Sequence, residues 1–163
     1  MTLTTHAVVG AAIASLIPEH PVAGFLAAFA SHFLIDAIPH YDYPIASPSV
    51  NPQIGTAMKY DKALAFDTLF IGTDTVLGIL LSLVLFLPSG SFWIILLGAS
   101  AGILPDPLQF IYAHFRHEPL VMLQRFHLWI HTDKKLQGRP LIGISSQIAF
   151  LLAVAALARL LIK

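Results

Sequence analysis

The chain alternates long apolar runs with short polar segments, a pattern typical of helices that cross or enter a membrane. Five apolar runs follow one another along the sequence, at 7–17, 22–38, 63–87, 92–112 and 141–162. The last three reach the roughly 20 residues that an α-helix needs to cross about 30 Å of hydrocarbon, whereas the first is too short to span alone. The pattern therefore predicts an all-α, polytopic membrane protein with four to five membrane helices.

Polar and proline-rich residues divide these runs into two helical hairpins and a C-terminal helix within one membrane domain, 1–163. The predicted parts are a first hairpin at 1–38, a polar, proline-rich loop at 39–62, a second hairpin at 63–112, an interfacial segment at 113–139 and a C-terminal membrane helix at 140–163. Thr4 or Thr5 and Thr73 are the predicted N-caps of the helices that open the hairpins. In the interfacial segment, apolar side chains within 118–131 suit a helix that lies in the membrane interface.

Composition strengthens the membrane assignment and narrows the chemistry. Hydrophobic residues make up 56% of the 163 positions and charged residues only 11%, less than half of the roughly 25% typical of soluble domains. Nine basic residues balance nine acidic ones, so there is no basic surface for nucleic acid and no nucleic-acid partner is expected. The chain has no cysteine, so any metal site must be built from histidine and carboxylates.

Basic residues also predict an orientation. If the apolar runs alternate in direction, seven basic residues share one side with the N-terminus: Lys59, Lys62, Arg116, Arg125, Lys134, Lys135 and Arg139. Only Arg159 and Lys163 lie on the other side. By the positive-inside rule, the N-terminus and both large loops are then cytoplasmic, in a plasma (inner) membrane.

Eight histidines are unusual in so apolar a chain, and several stand at the predicted helix ends. His32 and Asp36 are four residues apart, so they share one face of a helix, which is metal-ligand spacing. A weak internal repeat aligns His6 with Asp74 and Asp36 with Asp106, and the topology would bring these four to one membrane face. Each has a simpler explanation too: an exposed histidine next to an N-cap for His6, a packing His–Asp pair for Asp36, a carboxylate favoured at a helix start for Asp74, or a capping Asp in a turn for Asp106.

A second set of polar residues lies after the fourth apolar run, 92–112: His114, His117, His127, His131 and Asp133. His127 and His131 are again four apart. They could form a second ligand pair, a proton-transfer pair above the site, or headgroup-level anchors of an interfacial helix.

The residue types favour metal-dependent hydrolysis over other enzyme chemistry. No GxSxG, HExxH, P-loop or glycine-rich dinucleotide motif occurs. A set of histidines and aspartates suits zinc, in a site of one or two ions, or a mixed site with manganese or iron. We expect the ligands to come from His6, His32, Asp36, Asp74 and Asp106, with His40 or His127 protonating a leaving group.

Three motifs carry a resemblance to a known family: Thr5-His6-x-x-x-Gly10, His32-x-x-x-Asp36 and the Leu104-Pro105-Asp106 turn. Over about the first 110 residues they resemble the small inner-membrane metal-dependent hydrolase family, distantly related to zinc-dependent phospholipase C and the single-strand nucleases. The resemblance implies a helical fold, a zinc cluster held by His6, His32, Asp36 and Asp106, and hydrolysis of phosphoester bonds.

These expectations lead to one main hypothesis and two rivals. The main one is a membrane hydrolase whose partner is membrane lipid, acting at the cytoplasmic face on a phosphoester of a lipid or lipid-linked substrate. The rivals are a proton- or metal-handling transporter that uses the same histidines and aspartates, and a structural membrane protein in which these residues only satisfy one another.

Overall fold

The computed structural model describes residues 1–51, 55–58, 60–133 and 136–162, and within them the chain is helical. The seven α-helices are α1 (Leu3–Leu16), α2 (Pro21–Asp36), α3 (Lys62–Phe86), α4 (Phe92–Ile103), α5 (Pro105–His114), α6 (Leu120–Ile130) and α7 (Pro140–Leu161). A 3-10 turn, Leu87–Ser89, joins α3 to α4, and two short antiparallel strands, β1 (Pro48–Asn51) and β2 (Gly55–Met58), form a hairpin. The predicted helical class is confirmed, with this hairpin as an addition.

Two helices of the described chain, α3 and α7, are long and apolar enough to cross a membrane. Helices α4 and α5 would count as a third span if taken together, but they are bent by 49° at their junction. Helices α1 and α2 are shorter, at 14 and 16 residues. These spans are consistent with a membrane protein. Four of the basic residues used to predict orientation, Lys59, Lys134, Lys135 and Lys163, lie outside the described residues.

Helix α1 lies at the centre of the bundle and packs against α2, α3, α4 and α7. Its closest neighbour is α4, because Gly98 and Gly102 of α4 face Gly10 of α1 with no side chain between them. A Cβ atom on Gly98 would lie only 2.5 Å from the Cβ of Ala14. Small residues four apart let membrane helices approach closely, and Gly98 and Gly102 have that spacing.

Neighbouring residues also show the directions of the helices. Gly78 of α3 lies beside Thr4 and Ala7, so α1 runs alongside the second half of α3, while Gly24 lies beside Ala14, so α2 returns antiparallel. Helix α4 is antiparallel to α1 as well, since its Gly102 lies against the backbone of His6. The start of α1 and the ends of α2 and α4 therefore reach the same level.

The predicted N-cap at Thr73 is wrong. Helix α3 begins eleven residues earlier, at Lys62, and Asp61 caps it by accepting from the Ala63 and Leu64 amides at 2.8 and 3.4 Å. Thr73 lies inside α3 and its hydroxyl donates to the Leu69 carbonyl. The helix continues through this position because no proline interrupts it between 62 and 73. Helix α1 begins at Leu3, so Thr4 and Thr5 lie within its first turn and do not cap it.

Candidate metal centre

Polar residues from four helix ends meet at the level where α1 begins. His6 comes from the start of α1, and His32 and Asp36 come from the last turns of α2. Asp106 comes from the first turn of α5, next to the bend after α4, and His127 from the last turn of α6. His6, His32, Asp36 and His127 are at most 2% exposed, so this is a polar cluster enclosed by the bundle.

Four of these side chains form what we call the first ligand group: His32, Asp36, Asp106 and His127. One ligand atom from each lies within 4.8 Å of the others. His32 Nε2 is 3.3 Å from Asp36 Oδ2 and 3.4 Å from Asp106 Oδ1, and His127 Nε2 is 3.5 Å from Asp36 Oδ2. Ligand atoms bound about 2.0–2.1 Å from one tetrahedral zinc ion are about 3.4 Å apart, so the group has the size of such a site.

The hydrogen bond between His32 and the Gly102 carbonyl determines the tautomer of the His32 ring. Its Nδ1 lies 2.8 Å from the Gly102 carbonyl, which can only accept, so Nδ1 carries the proton. In the neutral ring, Nε2 then offers a lone pair toward Asp36 and Asp106, and it has no hydrogen-bond partner. A carbonyl that fixes the tautomer in this way is the usual arrangement behind a metal-binding histidine.

His6 lies against the first ligand group without being one of its four members. Its Nε2 is 3.2 Å from Asp36 Oδ1, and its ring is stacked on the ring of His32 with the centroids 3.9 Å apart. Neither ring nitrogen of His6 has a hydrogen-bond partner, although the residue is fully buried. Buried polar atoms are nearly always paired, so this histidine also points to a bound group or proton at the cluster.

Asp36 also belongs to a second ligand group, with His40 and His131. His40 donates from Nδ1 to the Ile38 carbonyl at 2.6 Å, so its Nε2 faces Asp42 Oδ1, 2.8 Å away, with the lone pair of the neutral ring. The backbone holds the group together: Thr132, next to His131, donates to the Asp36 carbonyl at 3.0 Å. Asp36 lies between the two groups and could serve both.

Charge on the second group is set by burial and by the carboxylates. Burial lowers the pKa of His131, which favours the neutral imidazole that can bind a metal ion. The ammonium of Met1 lies 2.7 Å from Asp36 Oδ1 and 3.1 Å from Asp42 Oδ1. Burial opposes that charge, but Asp36, Asp42 and Asp106 together outweigh burial and raise the pKa of the amine.

Asp74 is the predicted ligand that the structure does not bring into either group. It lies halfway along α3, behind α1, where its carboxylate accepts from the Thr4 amide at 2.9 Å, from the Thr4 hydroxyl at 2.7 Å and from the Tyr43 hydroxyl. Two more amides at the start of α1 have partners from elsewhere in the chain: Leu3 donates to Tyr43 and Thr2 to Gln147. Asp74 therefore caps α1 from a neighbouring helix.

The polar residues in the latter part of the chain divide between site and surface. His127 and His131 point into the ligand groups, as one of the interpretations of their four-residue spacing expects. His114 bonds the hydroxyl of Tyr60, and His117 and Asp133 are exposed. Two glutamines that no sequence motif marks also belong here: Gln109 donates to Asp106 Oδ1 at 2.9 Å and accepts from Gln124 at 3.2 Å. These amides link α5 to α6 and hold Asp106.

The arrangement therefore contains buried histidine and aspartate groups that could hold a metal ion, with Asp106 the most accessible member of the first group, its side chain 29% exposed. Comparison with protein-family models, curated proteins and solved structures finds no match to this chain.

Proposed function

We propose that the protein is a membrane-embedded, metal-dependent hydrolase that acts on a phosphoester of a lipid or lipid-linked substrate. The observation that carries the proposal is His32. In the neutral ring, Nδ1 donates its proton to the Gly102 carbonyl while the buried Nε2 faces two carboxylates. The Nε2 lone pair and the two carboxylate oxygens repel one another unless a proton or a metal ion lies among them, and histidine with aspartate is a ligand set that suits zinc and similar ions.

Each residue has a definite task in this proposal. His32, Asp36, Asp106 and His127 would hold the ion, and Asp36 would connect it to His40 and His131 of the second group. A bound zinc-like ion would supply an activated water and polarise the phosphoryl oxygen. His6 closes the inner side of the site and excludes water. Asp106 lies where substrate can reach, because it is the least buried ligand of the first group.

Proton transfer is assigned to the second group. The sequence predicts either His40 or His127 as the acid. The Nε2 of His127 faces Asp36 Oδ2, 3.5 Å away, in the first ligand group. His40 keeps its Nε2 at Asp42 Oδ1, where a proton can be held between imidazole and carboxylate and passed to a leaving group. We therefore favour His40 as the acid and His127 as a ligand.

Zinc is the proposed ion, with manganese or iron as alternatives that the same ligands accommodate. We further propose that four to five helices cross or enter the bilayer, that α1 and α2 enter beside α3, and that the large loops are cytoplasmic. The resemblance to the small inner-membrane metal-dependent hydrolases supports the same reaction class, since its three motifs include three of the four residues in the first ligand group.

Metal analysis of detergent-purified protein tests the metal site. We expect about one zinc equivalent per chain in the unaltered protein and a loss of most of this metal in His32→Ala and Asp36→Asn. His20→Ala is the matched control, because His20 is exposed at the start of α2. Protein that binds no transition metal, even after incubation with zinc, would refute the proposal.

Phosphate release tests the reaction separately. Purified protein in vesicles that contain phosphatidic acid should release inorganic phosphate, and His40→Ala should slow the release while keeping the metal. Full metal occupancy without turnover of any phosphoester would support the metal site but refute the proposed hydrolase activity.

One observation favours the second candidate, a proton-handling membrane protein. The same lone-pair conflict at His32 and His40 is removed if the rings are protonated, and His6, His32, His40, His127 and His131 all lie within 3.9 Å of Asp36. Proton flux across proteoliposomes that is abolished by Asp36→Asn in metal-free protein would support this alternative.

A further inference from the structure

Helix α6 turns its polar residues inward and its apolar residues outward, the reverse of a surface helix in a water-soluble protein. Its buried residues are polar: Gln124 is 6% exposed and His127 only 2%. Its outer face carries Met122, Phe126 and Trp129 together with Arg125. A surface helix in water turns its apolar stripe to the core and its polar side to solvent, so α6 has the opposite arrangement.

The outer face of α6, which we define as Met122, Arg125, Phe126 and Trp129, is a single helical stripe. The four residues follow the spacing i, i+3, i+4 and i+7, so their side chains lie over one another along α6. Trp129 is 77% exposed and Met122 66%. The adjacent helix α5 also exposes Phe110 and Ile111. Such a patch is covered by lipid or by another protein.

The level of the candidate metal centre within the bundle favours lipid. The start of α1 contacts Asp74, twelve residues or about 18 Å along α3, and Gln147, seven residues or about 10 Å along α7. The stretches of α3 and α7 before that level expose Phe66, Leu69, Phe70 and Leu141, each at least 57%. An apolar exterior therefore continues beyond the cluster on helices that are long enough to span, and α6 lies alongside it.

Arg125 identifies the kind of lipid group. It is exposed on the outer face of α6, and among the described residues no carboxylate forms an ion pair with it. A cation flanked by large apolar side chains suits a lipid-facing helix, since a long arginine side chain can extend to a lipid phosphate while its neighbours contact acyl chains.

We propose that the outer face of α6 docks against membrane phospholipid, with Arg125 on the lipid phosphate, so that α6 is the wall between the bilayer and the candidate metal centre. A phospholipid phosphate bound at Arg125 would lie about one helix diameter, roughly 10 Å, from His127 on the inner face. The inference rests on the membrane setting and on the shape of α6. It stands whether or not the ligand groups hold a metal.

The two tryptophans of the chain allow a direct test. Trp93→Phe leaves Trp129 as the only tryptophan, and Trp129→Phe leaves Trp93, which is 72% exposed at the start of α4 and gives a second exposed site for comparison. Each full-length variant is reconstituted in phosphatidylcholine vesicles, with and without brominated acyl chains, and then titrated with iodide. We expect Trp129 to lose most of its emission in brominated lipid and to lose little with iodide.

Any other quenching pattern of Trp129 would refute the proposal and would identify what α6 faces instead. Quenching of Trp129 by iodide and not by brominated lipid would show that α6 faces water. Resistance to both quenchers would show that a protein, such as a second copy of the chain, covers it. Arg125→Glu should reduce the lipid quenching of Trp129, whereas Arg125→Lys should retain it, and circular dichroism of both variants controls for folding. Equal quenching in Arg125→Glu and Arg125→Lys would refute the phosphate contact.

Discussion

The close crossing of α1 and α4 makes a quantitative prediction, because it connects stability of the bundle to the candidate metal centre. A Cβ added at Gly102 would collide with the carbonyl oxygen of His6 and lie 3.1 Å from its carbonyl carbon, whereas ordinary contacts are 3.4–4 Å. The colliding atom is backbone, so no side-chain rotation relieves the contact. The helices must separate by about 1 Å, and overpacking of this kind costs typically 1–3 kcal/mol.

Gly102→Ala should therefore lower the melting temperature by about 2–12 °C in a chain of this length. The same shift moves the Gly102 carbonyl away from His32 Nδ1, where it now accepts a hydrogen bond at 2.8 Å. Loss of an orienting contact behind a metal ligand typically weakens metal binding by about 10–100-fold. Thermal unfolding in detergent measures the first effect, and zinc titration of metal-stripped protein measures the second.

Two further glycines supply matched controls. Gly98→Ala disturbs the same crossing one turn away from the site, so it should lower the melting temperature with a smaller effect on zinc affinity. Gly72→Ala on α3 has no atom within 4 Å of the added Cβ, and it should be neutral or stabilise by up to about 1 kcal/mol. If Gly102→Ala behaves like Gly72→Ala in both assays, the α1–α4 crossing and its connection to His32 are refuted.

Three other outcomes can be measured on the same preparations. Burial and the bond to Asp74 raise the pKa of Tyr43 above its ordinary value near 10. The contribution of Tyr43 to stability is therefore complete below pH 10 and declines as the pH rises above that value. Tyr43→Phe should remove this decline, and Tyr60→Phe, an exposed control, should not. Zinc should be released as the pH falls below about 6.5, since protonated imidazole cannot bind metal, and pH-independent zinc content would contradict histidine ligation. Gln109→Ala should weaken zinc binding by about 10–100-fold, because Asp106 loses the amide that orients it, and an unchanged zinc titration would show that Gln109 only fills space.

Sequence periodicity predicted the helical class, although the single apolar run at 92–112 forms two helices, α4 and α5, bent by 49°. Spacing along one helix predicted the pairs in the site. His32 and Asp36 are neighbours because four residues make about one turn, and this local rule needs no knowledge of the fold. The break near Asp106 followed from Pro105. Asp74 shows where such reasoning stops: Thr73 looked like a helix start, but α3 runs straight through it, so Asp74 faces Thr4 and not the histidines.

Contacts between distant segments account for the rest of the site. Gln109 and Gln124 meet because α5 and α6 fold against each other, and no local pattern marks either residue. The second ligand group likewise depends on the loop after α6 returning to the end of α2, where Thr132 donates to Asp36. Residue type indicated histidine and aspartate ligands, while their division into two groups that share Asp36 required the packed helices.

The borrowed caps of α1 have a consequence for how the chain is assembled. The first three amides of the helix region, at Thr2, Leu3 and Thr4, are bonded by Gln147, Tyr43 and Asp74, each from a later part of the sequence. Unpaired amides at a helix start are costly in lipid. We therefore expect α1 to reach its final position only after α7 has been inserted in the membrane. The helix at the centre of the bundle would then pack last, although it is synthesised before the helices that surround it.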